Sequence, residues 1–251
     1  MADPPQSGAH VNADWGASTR FAAAIVGRAL RLLPRRMRFR AVLFLSRLIA
    51  PLAVALLART RYGGLPTEGR VDTTVRMLCR AMTAAGTHFD PEVRYDGPSQ
   101  SLAGALLVSG HFPLNALVTR LLFDRGTPPA VVKRFPLADP YYWGSFVRDR
   151  VIEPSPAVLV KVRRALMQGH PVFIDIDSYE EVARGVTFTT AYGTLHVSTA
   201  VLELARRCGV PLYFACGRSE RRGLPLVYVR RIEPDVEAFL THYREQAARI
   251  V

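Results

Sequence analysis

Gly104-Ala105-Leu106-Leu107-Val108-Ser109-Gly110-His111-Phe112-Pro113 joins an unbroken apolar run to a glycine, a histidine and a proline. Gly104 to Ser109 shows no polar alternation, as expected for a strand covered on both faces in a parallel sheet. Leu114 to Arg125 then reads as an amphipathic helix stopped by Gly126. His111 therefore falls at the carboxyl end of a buried strand, beside a helix N-terminus. A histidine without sequence partners usually serves structure. At a strand exit, however, a titratable imidazole is placed where a general base can meet a bound ligand.

The alternation continues outward. Pro129 to Arg134 contains a second strand, Pro156 to Gln168 a helix closed by Gly169, and Val172 to Ile176 a third strand. Ser198 stands as N-cap of a helix running through Cys208. Leu212 to Ala215 and Leu226 to Ile232 read as strands, and Pro234 to Ile250 as a final helix. Strands separated by helices predict an α/β fold over residues 63–251, with a mixed, largely parallel sheet flanked by helices. Ligands collect at the carboxyl ends of the strands in such sheets.

The third strand ends in Asp175-Ile176-Asp177. Alternate residues share a strand face, so Phe173, Asp175 and Asp177 are expected on one side, with the two carboxylates about 6.5–7 Å apart. Two acids on an apolar strand are costly if buried unpaired. Asp177, at the exit, fits a site facing the crevice. Asp175 fits a salt bridge to Arg134, Arg148 or Arg150.

Upstream, residues 1–18 hold Pro4, Pro5, Gly8 and Gly16 with few large apolar side chains. They read as a disordered tail and not as a secretory signal. Residues 19–62 differ: Phe21 to Leu33 is apolar with Arg28 and Arg31, Pro34 to Arg40 is arginine-rich, and Ala41 to Ala58 is apolar but interrupted by Arg47 and Pro51. A spanning helix needs about 20 apolar residues, and a central arginine costs about 2.5–3.5 kcal/mol. A pair of amphipathic helices lying in a membrane interface fits better, with arginines meeting lipid phosphates. The competing expectation is a helical hairpin packed on the main domain. Gly63-Gly64 and Pro66 mark a break. Thr67 to Ala85 then predicts a helix whose stripe of Val71, Val75, Leu78, Met82 and Ala85 serves core packing.

The 251 residues carry 33 Lys plus Arg against 21 Asp plus Glu, a net charge of +12, with 49% hydrophobic residues. This excludes a mainly disordered chain. Cys79, Cys208 and Cys216 form neither a disulfide framework nor a zinc pattern, which suits a reducing, cytoplasmic-side protein; no metal or cofactor is expected. A positive surface attracts the phosphates of nucleic acid or anionic lipid, or an acidic carrier protein. No nucleic-acid-binding signature accompanies the charge. Arg134 and Arg150 flank Asp139-Pro140-Tyr141-Tyr142-Trp143, and aromatics beside arginines can line an acyl groove or simply pack a loop. His88, His170 and His242 are expected on the surface, and His196 close enough to Gly193 to reach a site.

Gly110-His111-Phe112 followed by a helix resembles the first block of the lysophospholipid acyltransferase superfamily, most closely its lipid A lauroyl/myristoyl acyltransferase branch. The basic segments around Lys133-Arg134 and Arg148-Asp149-Arg150, the acid-ended strand at Asp175 and Asp177, and Gly185 to Gly193 follow in the order of that branch. Ser198 to Pro211 and Leu32-Leu33-Pro34-Arg35-Arg36 also resemble it, so that the likeness covers about residues 28–235. The resemblance implies an acyltransferase-like fold and an enzyme at the cytoplasmic face of the inner membrane. That enzyme would move a fatty acyl group from an acyl-carrier-protein or coenzyme A thioester to a hydroxyl or amine of a lipid-like acceptor. His111 would deprotonate the acceptor, and Arg134, Arg148, Arg150 and Gly193 would belong to the substrate-binding segments.

One departure stands out. The family pattern is His-x-x-x-x-Asp/Glu, and position 116 is Ala116. Three readings follow: Asn115 orients the imidazole as a neutral partner; Asp177, or after it Asp139, supplies the acid; or the chain is a degenerate relative that binds lipid or acyl carrier without turnover.

Overall fold

A computed structural model describes residues 25–57, 71–72, 74–76, 78–79, 90–133, 150–178, 182, 184–190, 193–220 and 223–250. Among the described residues there are ten strands: β1 Arg94–Asp96, β2 Leu106–Ser109, β3 Ala130–Val132, β4 Val151–Ile152, β5 Val172–Asp175, β6 Asp177–Ser178, β7 Gly185–Thr190, β8 Gly193–Ser198, β9 Leu212–Arg218 and β10 Leu226–Arg231. The longer helices are α1 Arg35–Leu57, α2 Ala116–Asp124, α3 Val158–Met167, α4 Thr199–Cys208 and α5 Val236–Ala247. The main sheet runs β1-β10-β9-β2-β5-β3-β4. Its block from β9 to β4 is parallel throughout, while β10 is antiparallel to β9. This is the expected α/β architecture with a mixed, largely parallel sheet flanked by helices.

The crossovers explain which helix covers which face. From β2 the chain moves through α2 to β3, one way across the sheet. From β5 it moves the other way, through α4 to β9. Right-handed crossovers in opposite directions put their helices on opposite faces. Accordingly, Leu117, Val118 and Leu122 of α2 pack with Leu107 and Phe173 on one face. Val162 and Leu166 of α3, and Val201, Leu202 and Ala205 of α4, pack with Leu106, Val108 and Val172 on the other. The chain reverses its winding direction between β2 and β5, so a crevice opens there at their carboxyl ends. β2 is buried at all four positions, as its uniform apolarity requires.

Several elements were not apparent from pattern. β1 and β4 are too short for periodicity to show. Gly185 to Gly193, expected only as a segment matched by the resemblance, contains β7, which pairs with β8, and β8 with β6, in a second, three-stranded sheet. The third strand also breaks at Ile176, so Asp175 and Asp177 belong to different sheets. Ser198 holds the N-cap position of α4 but its hydroxyl makes no cap bond; Thr199 Oγ1 instead donates to the Arg184 carbonyl.

At the N-terminal end, residues 25–30 form a helix, and α1 runs unbroken from Arg35 through Leu57. The arginine cluster therefore lies inside the second helix and does not separate two. Arg38 is fixed locally, donating to the carbonyls of Leu33 and Arg31, and Arg40 pairs with Glu92. Arg47, which interrupts the apolar run, donates to the carbonyls of Glu220 and Gly223, both at 2.9 Å. Phe39, Val42 and Leu43 bury the inner side of α1 in the same cluster as α2 and the sheet. Its outer side leaves Met37, Phe44 and Leu48 exposed. No helix among the described residues is long and apolar enough to cross a membrane. Val75 and Leu78 are buried in this layer, as their stripe predicts. Residues 1–24 and 58–70, including the expected tail and the Gly63-Gly64 break, lie outside the described residues.

Candidate active site

Gly110 follows β2, and His111 comes next at the carboxyl edge of the sheet. A Cβ on residue 110 would lie 2.2 Å from the Tyr243 ring and 2.8 Å from Asp177 Oδ2. Only glycine lets the backbone come this close to both. Phe112 next turns into the core against Phe214 and Tyr243, which anchors the loop on its far side. Between these two anchors the His111 ring projects outward.

Asp177 meets His111 at two points. Nδ1 of the ring donates to Asp177 Oδ1 at 2.5 Å, and the His111 backbone N–H donates to Asp177 Oδ2 at 3.0 Å. The Asp177 side chain is 1% exposed and the imidazole 58%. With Nδ1 held against a buried carboxylate, Nε2 is the ring nitrogen turned away from Asp177, free to face a ligand. Burial opposes charging of the ring. The Asp177 hydrogen bond and the charges of Asp175 and Asp177 outweigh it, and Arg76 opposes them, so that the pKa rises to about 9.

Asn115 does not touch the imidazole. Its Nδ2 lies 2.6 Å from the Gly110 carbonyl, 2.8 Å from Asp175 Oδ1 and 3.0 Å from Ser109 Oγ, and its Oδ1 accepts the Gly217 N–H at 3.4 Å. It thus ties together the exits of β2, β5 and β9. Gly217 suits this role, because a Cβ there would meet the Leu114 carbonyl oxygen at 2.2 Å. The carboxyl of Asp175 is pushed up to about 6 by burial, against the pull of His111 and with the push of Asp177; the Asn115 bond and Lys133 also pull it down. Its hydrogen-bond partner is Asn115 and not Arg150. Ala116 packs with the apolar cluster of the α1–α2 face, so its side chain is part of that layer.

The other expected site residues separate. Arg150 precedes β4 and lies 3.5 Å from the Pro128 carbonyl and from His170 Nδ1. Pro128 and His170 precede β3 and β5, so all three stand at the amino edge of parallel strands, opposite His111. Gly193 begins β8, four residues from the Val197 that pairs with Asp177, about 13 Å along the strand. His196 meets Thr187 across the hairpin at 3.1 Å. His242, expected as a surface group, instead stacks on Phe214 and bonds the Tyr228 hydroxyl at 3.1 Å. Arg134, Arg148 and Asp139 lie outside the described residues.

Two cations act on the site: Arg76, not singled out from sequence, and Lys133, read there only as part of a basic segment. Arg76, exposed on the helical segment 74–76, opposes protonation of His111, and Lys133, just past β3, stabilises ionised Asp175. Lys133 follows a strand that enters the carboxyl edge, a signal the sequence does contain; Arg76 sits among core-stripe residues with nothing local to mark it.

The chain matches no protein-family model and no curated protein. Its site must be read from its own geometry.

Proposed function

We propose that this protein is an acyltransferase that moves a fatty acyl group from an acyl-carrier-protein or coenzyme A thioester to a hydroxyl or amine of a lipid-like acceptor. The observation that carries this reading is the contact between the His111 ring and Asp177. A Gly-His-Phe segment that resembles the family's lacks the acid at position 116, and a carboxylate from β6 meets the imidazole instead. In the proposed reaction the acceptor O–H or N–H gives its proton to Nε2 while its oxygen or nitrogen attacks the thioester carbonyl carbon. The tetrahedral intermediate collapses, the C–S bond breaks, and the departing thiolate takes the proton from Nε2. Asp177 holds the tautomer with Nδ1 protonated and stabilises the imidazolium formed on the way.

The second reading is a degenerate relative that binds lipid or acyl carrier without turnover. The pKa of about 9 favours it at neutral pH, because a protonated ring is a cation and not a base. The deciding experiment incubates the protein with acyl-carrier and coenzyme A thioesters and a membrane extract, with mass spectrometry of the products at pH 7 and pH 9. A new acylated lipid supports transfer. Intact thioester at both pH values overturns it and leaves the binding reading.

For location we propose the cytoplasmic face of the inner membrane, with α1 lying on the anionic lipid surface. The outer side of α1 exposes Met37, Phe44 and Leu48, and exposed Leu32 precedes it. Arg28, Arg35 and Arg36 are exposed around them. An apolar stripe rimmed by cations matches an interface between acyl chains and lipid phosphates. Phe44→Glu with Leu48→Glu is expected to reduce co-sedimentation with vesicles containing anionic phospholipid about tenfold or more, since each side chain contributes about 1.5–3 kcal/mol when buried. Unchanged vesicle binding would remove α1 as the membrane face.

A further inference from the structure

We propose that Asn115 is a positioning residue with two separable roles: one buried amide grips the Gly110 carbonyl, which holds the His111 main chain, and the Asp175 carboxylate, which keeps a second negative charge beside the ring. This rests on the base role proposed for His111. Asn115 holds the N-cap position of α2, where a side chain usually accepts from the first N–H groups of its own helix. It makes no such bond. The side chain is buried and its amide turns to the strand exits instead. An amide NH₂ carries two hydrogens, and its two shortest contacts are the Gly110 carbonyl at 2.6 Å and Asp175 Oδ1 at 2.8 Å, with Ser109 Oγ farther at 3.0 Å. The Gly217 N–H donates to Oδ1 at 3.4 Å, which fixes the sense of the amide. Turned over, it would set oxygen against oxygen and NH₂ against N–H. The Gly110 carbonyl also accepts the Phe112 N–H at 2.7 Å, and the Phe112 carbonyl accepts the Asn115 N–H at 3.2 Å. The loop from 110 to 115 is thus closed on itself, with His111 in its bend.

The second role follows from the sheet register. Ser109 and Asp175 are partners across β2 and β5, so the Asp175 carboxylate lies two residues short of the His111–Asp177 contact on each chain. Burial pushes this carboxyl up to about 6, and the Asn115 bond restrains the rise. Around the imidazole, burial opposes charging, the Asp177 bond and the Asp175 and Asp177 charges favour it, and Arg76 opposes it. Lys133 acts on Asp175, and from α5 the Tyr243 ring packs against Gly110. An amide donor on Asp175 therefore favours its ionised form, and that charge favours the imidazolium.

Two variants separate the roles, each read by NMR titration of the His111 ring and by kinetics. Asp175→Asn keeps an acceptor for the Asn115 NH₂ and removes the charge. Its ring midpoint is expected to fall below the wild-type value of about 9, while the downfield Nδ1–H resonance stays sharp. Asn115→Asp keeps the side-chain size and the acceptor for Gly217 but loses the NH₂. Its carboxyl and that of Asp175 then share one proton, so the charge beside the ring and the midpoint stay as in wild type. The Gly110 carbonyl has lost its side-chain donor, and the loop loosens. The Nδ1–H resonance is expected to broaden, and kcat to fall about 10- to 100-fold with KM within about threefold. Should Asn115→Asp fail to fold, its combination with Asp175→Asn restores one carboxylate and one amide to the pair, still leaves Gly110 without that donor, and carries the same expectation. Wild-type kcat with a sharp resonance in the Asn115 variant overturns the grip on the loop, and an unmoved midpoint in Asp175→Asn overturns the charge role. Neither NMR reading needs a substrate. The expected NMR changes in a protein that transfers no acyl group therefore sustain the positioning role and sink the transferase reading instead.

Discussion

Asp177→Asn is expected to lower kcat about 10³- to 10⁴-fold, close to the loss in His111→Ala. The reason lies in counting donors. In the wild type, two donors face two carboxylate oxygens: the His111 backbone N–H meets Oδ2 and the ring Nδ1–H meets Oδ1. An asparagine offers only one oxygen. The backbone amide is always a donor, whereas the ring can tautomerise, so the oxygen goes to the backbone and the new NH₂ donates to Nδ1. The ring proton then resides on Nε2, and the nitrogen that should accept the acceptor's proton already carries one. The pH profile separates this account from simple misfolding. Wild-type kcat/KM should rise about tenfold per pH unit toward its midpoint near 9, because roughly one ring in a hundred is neutral at pH 7. In Asp177→Asn the midpoint falls, since burial then opposes the ring charge without the Asp177 hydrogen bond, and the deficit shrinks as pH is lowered. A variant within about tenfold of wild type at pH 9 would show that Asp177 does not orient the base.

Where the sequence was legible, one local property sufficed. The six-residue apolar run around Leu106 to Ser109 can only be a strand covered twice, and its exit fixes His111 at the carboxyl edge. Asp177 was reachable by the same argument, because a strand of the parallel block ends beside it; its pairing with His111, 66 residues away, depends only on β2 and β5 being neighbours. Arg150 was misleading for a matching reason. Its neighbourhood is basic and aromatic, but which end of a strand a residue occupies depends on strand direction, and Arg150 stands at the start of β4. The hairpin of β7 and β8 was hidden because Phe188 alone among the described side chains of β7 is buried, so the segment lacks the two-residue alternation that marks a half-buried strand. The arginines of 35–40 looked like a break because charge marks solvent; Arg38 and Arg40 instead find partners without leaving the helix. Asn115 was placed beside the imidazole by sequence adjacency, yet the helix start turns its amide toward three strand exits.

Asp72→Ala is expected to destabilise the fold by about 3 kcal/mol, lowering Tm by roughly 6–12 °C for a domain of this size. Asp72 is fully buried, and both its oxygens accept the Ser219 N–H, at 3.0 and 3.1 Å. Ser219 directly follows β9, where buried Arg218 donates to Gln246 Oε1 at 2.9 Å and lies 3.4 Å from Glu220. Truncation removes an acceptor and a negative charge from a place that still holds the Ser219 amide and the Arg218 guanidinium. Burial has already raised the Asp72 carboxyl to about 6, with the Ser219 bonds, Arg218 and Arg47 restraining the rise. The folded value lies above the unfolded 3.8, so the native state binds the proton more tightly and stability falls as pH rises through roughly 4 to 6. Asp175 adds the same slope over the same window. His111 acts at higher pH: its contribution is complete below 6.5 and is lost as pH climbs through about 9. All three predict a Tm that is highest in mild acid and declines toward alkaline pH. Asp72→Asn should keep one acceptor for Ser219 and flatten the slope between pH 4 and 6 while leaving the alkaline decline intact; a slope unchanged in that variant would show that Asp72 does not titrate there. The same bond ties the helical residues 71–72 to the end of β9, and Arg76, whose charge His111 feels, follows four residues on in sequence. Loosening Asp72 therefore reaches the imidazole as well as the fold. The Asn variant, folded but less firmly tied, is expected to shift the midpoint of kcat/KM upward from about 9 as the Arg76 charge moves away from the ring.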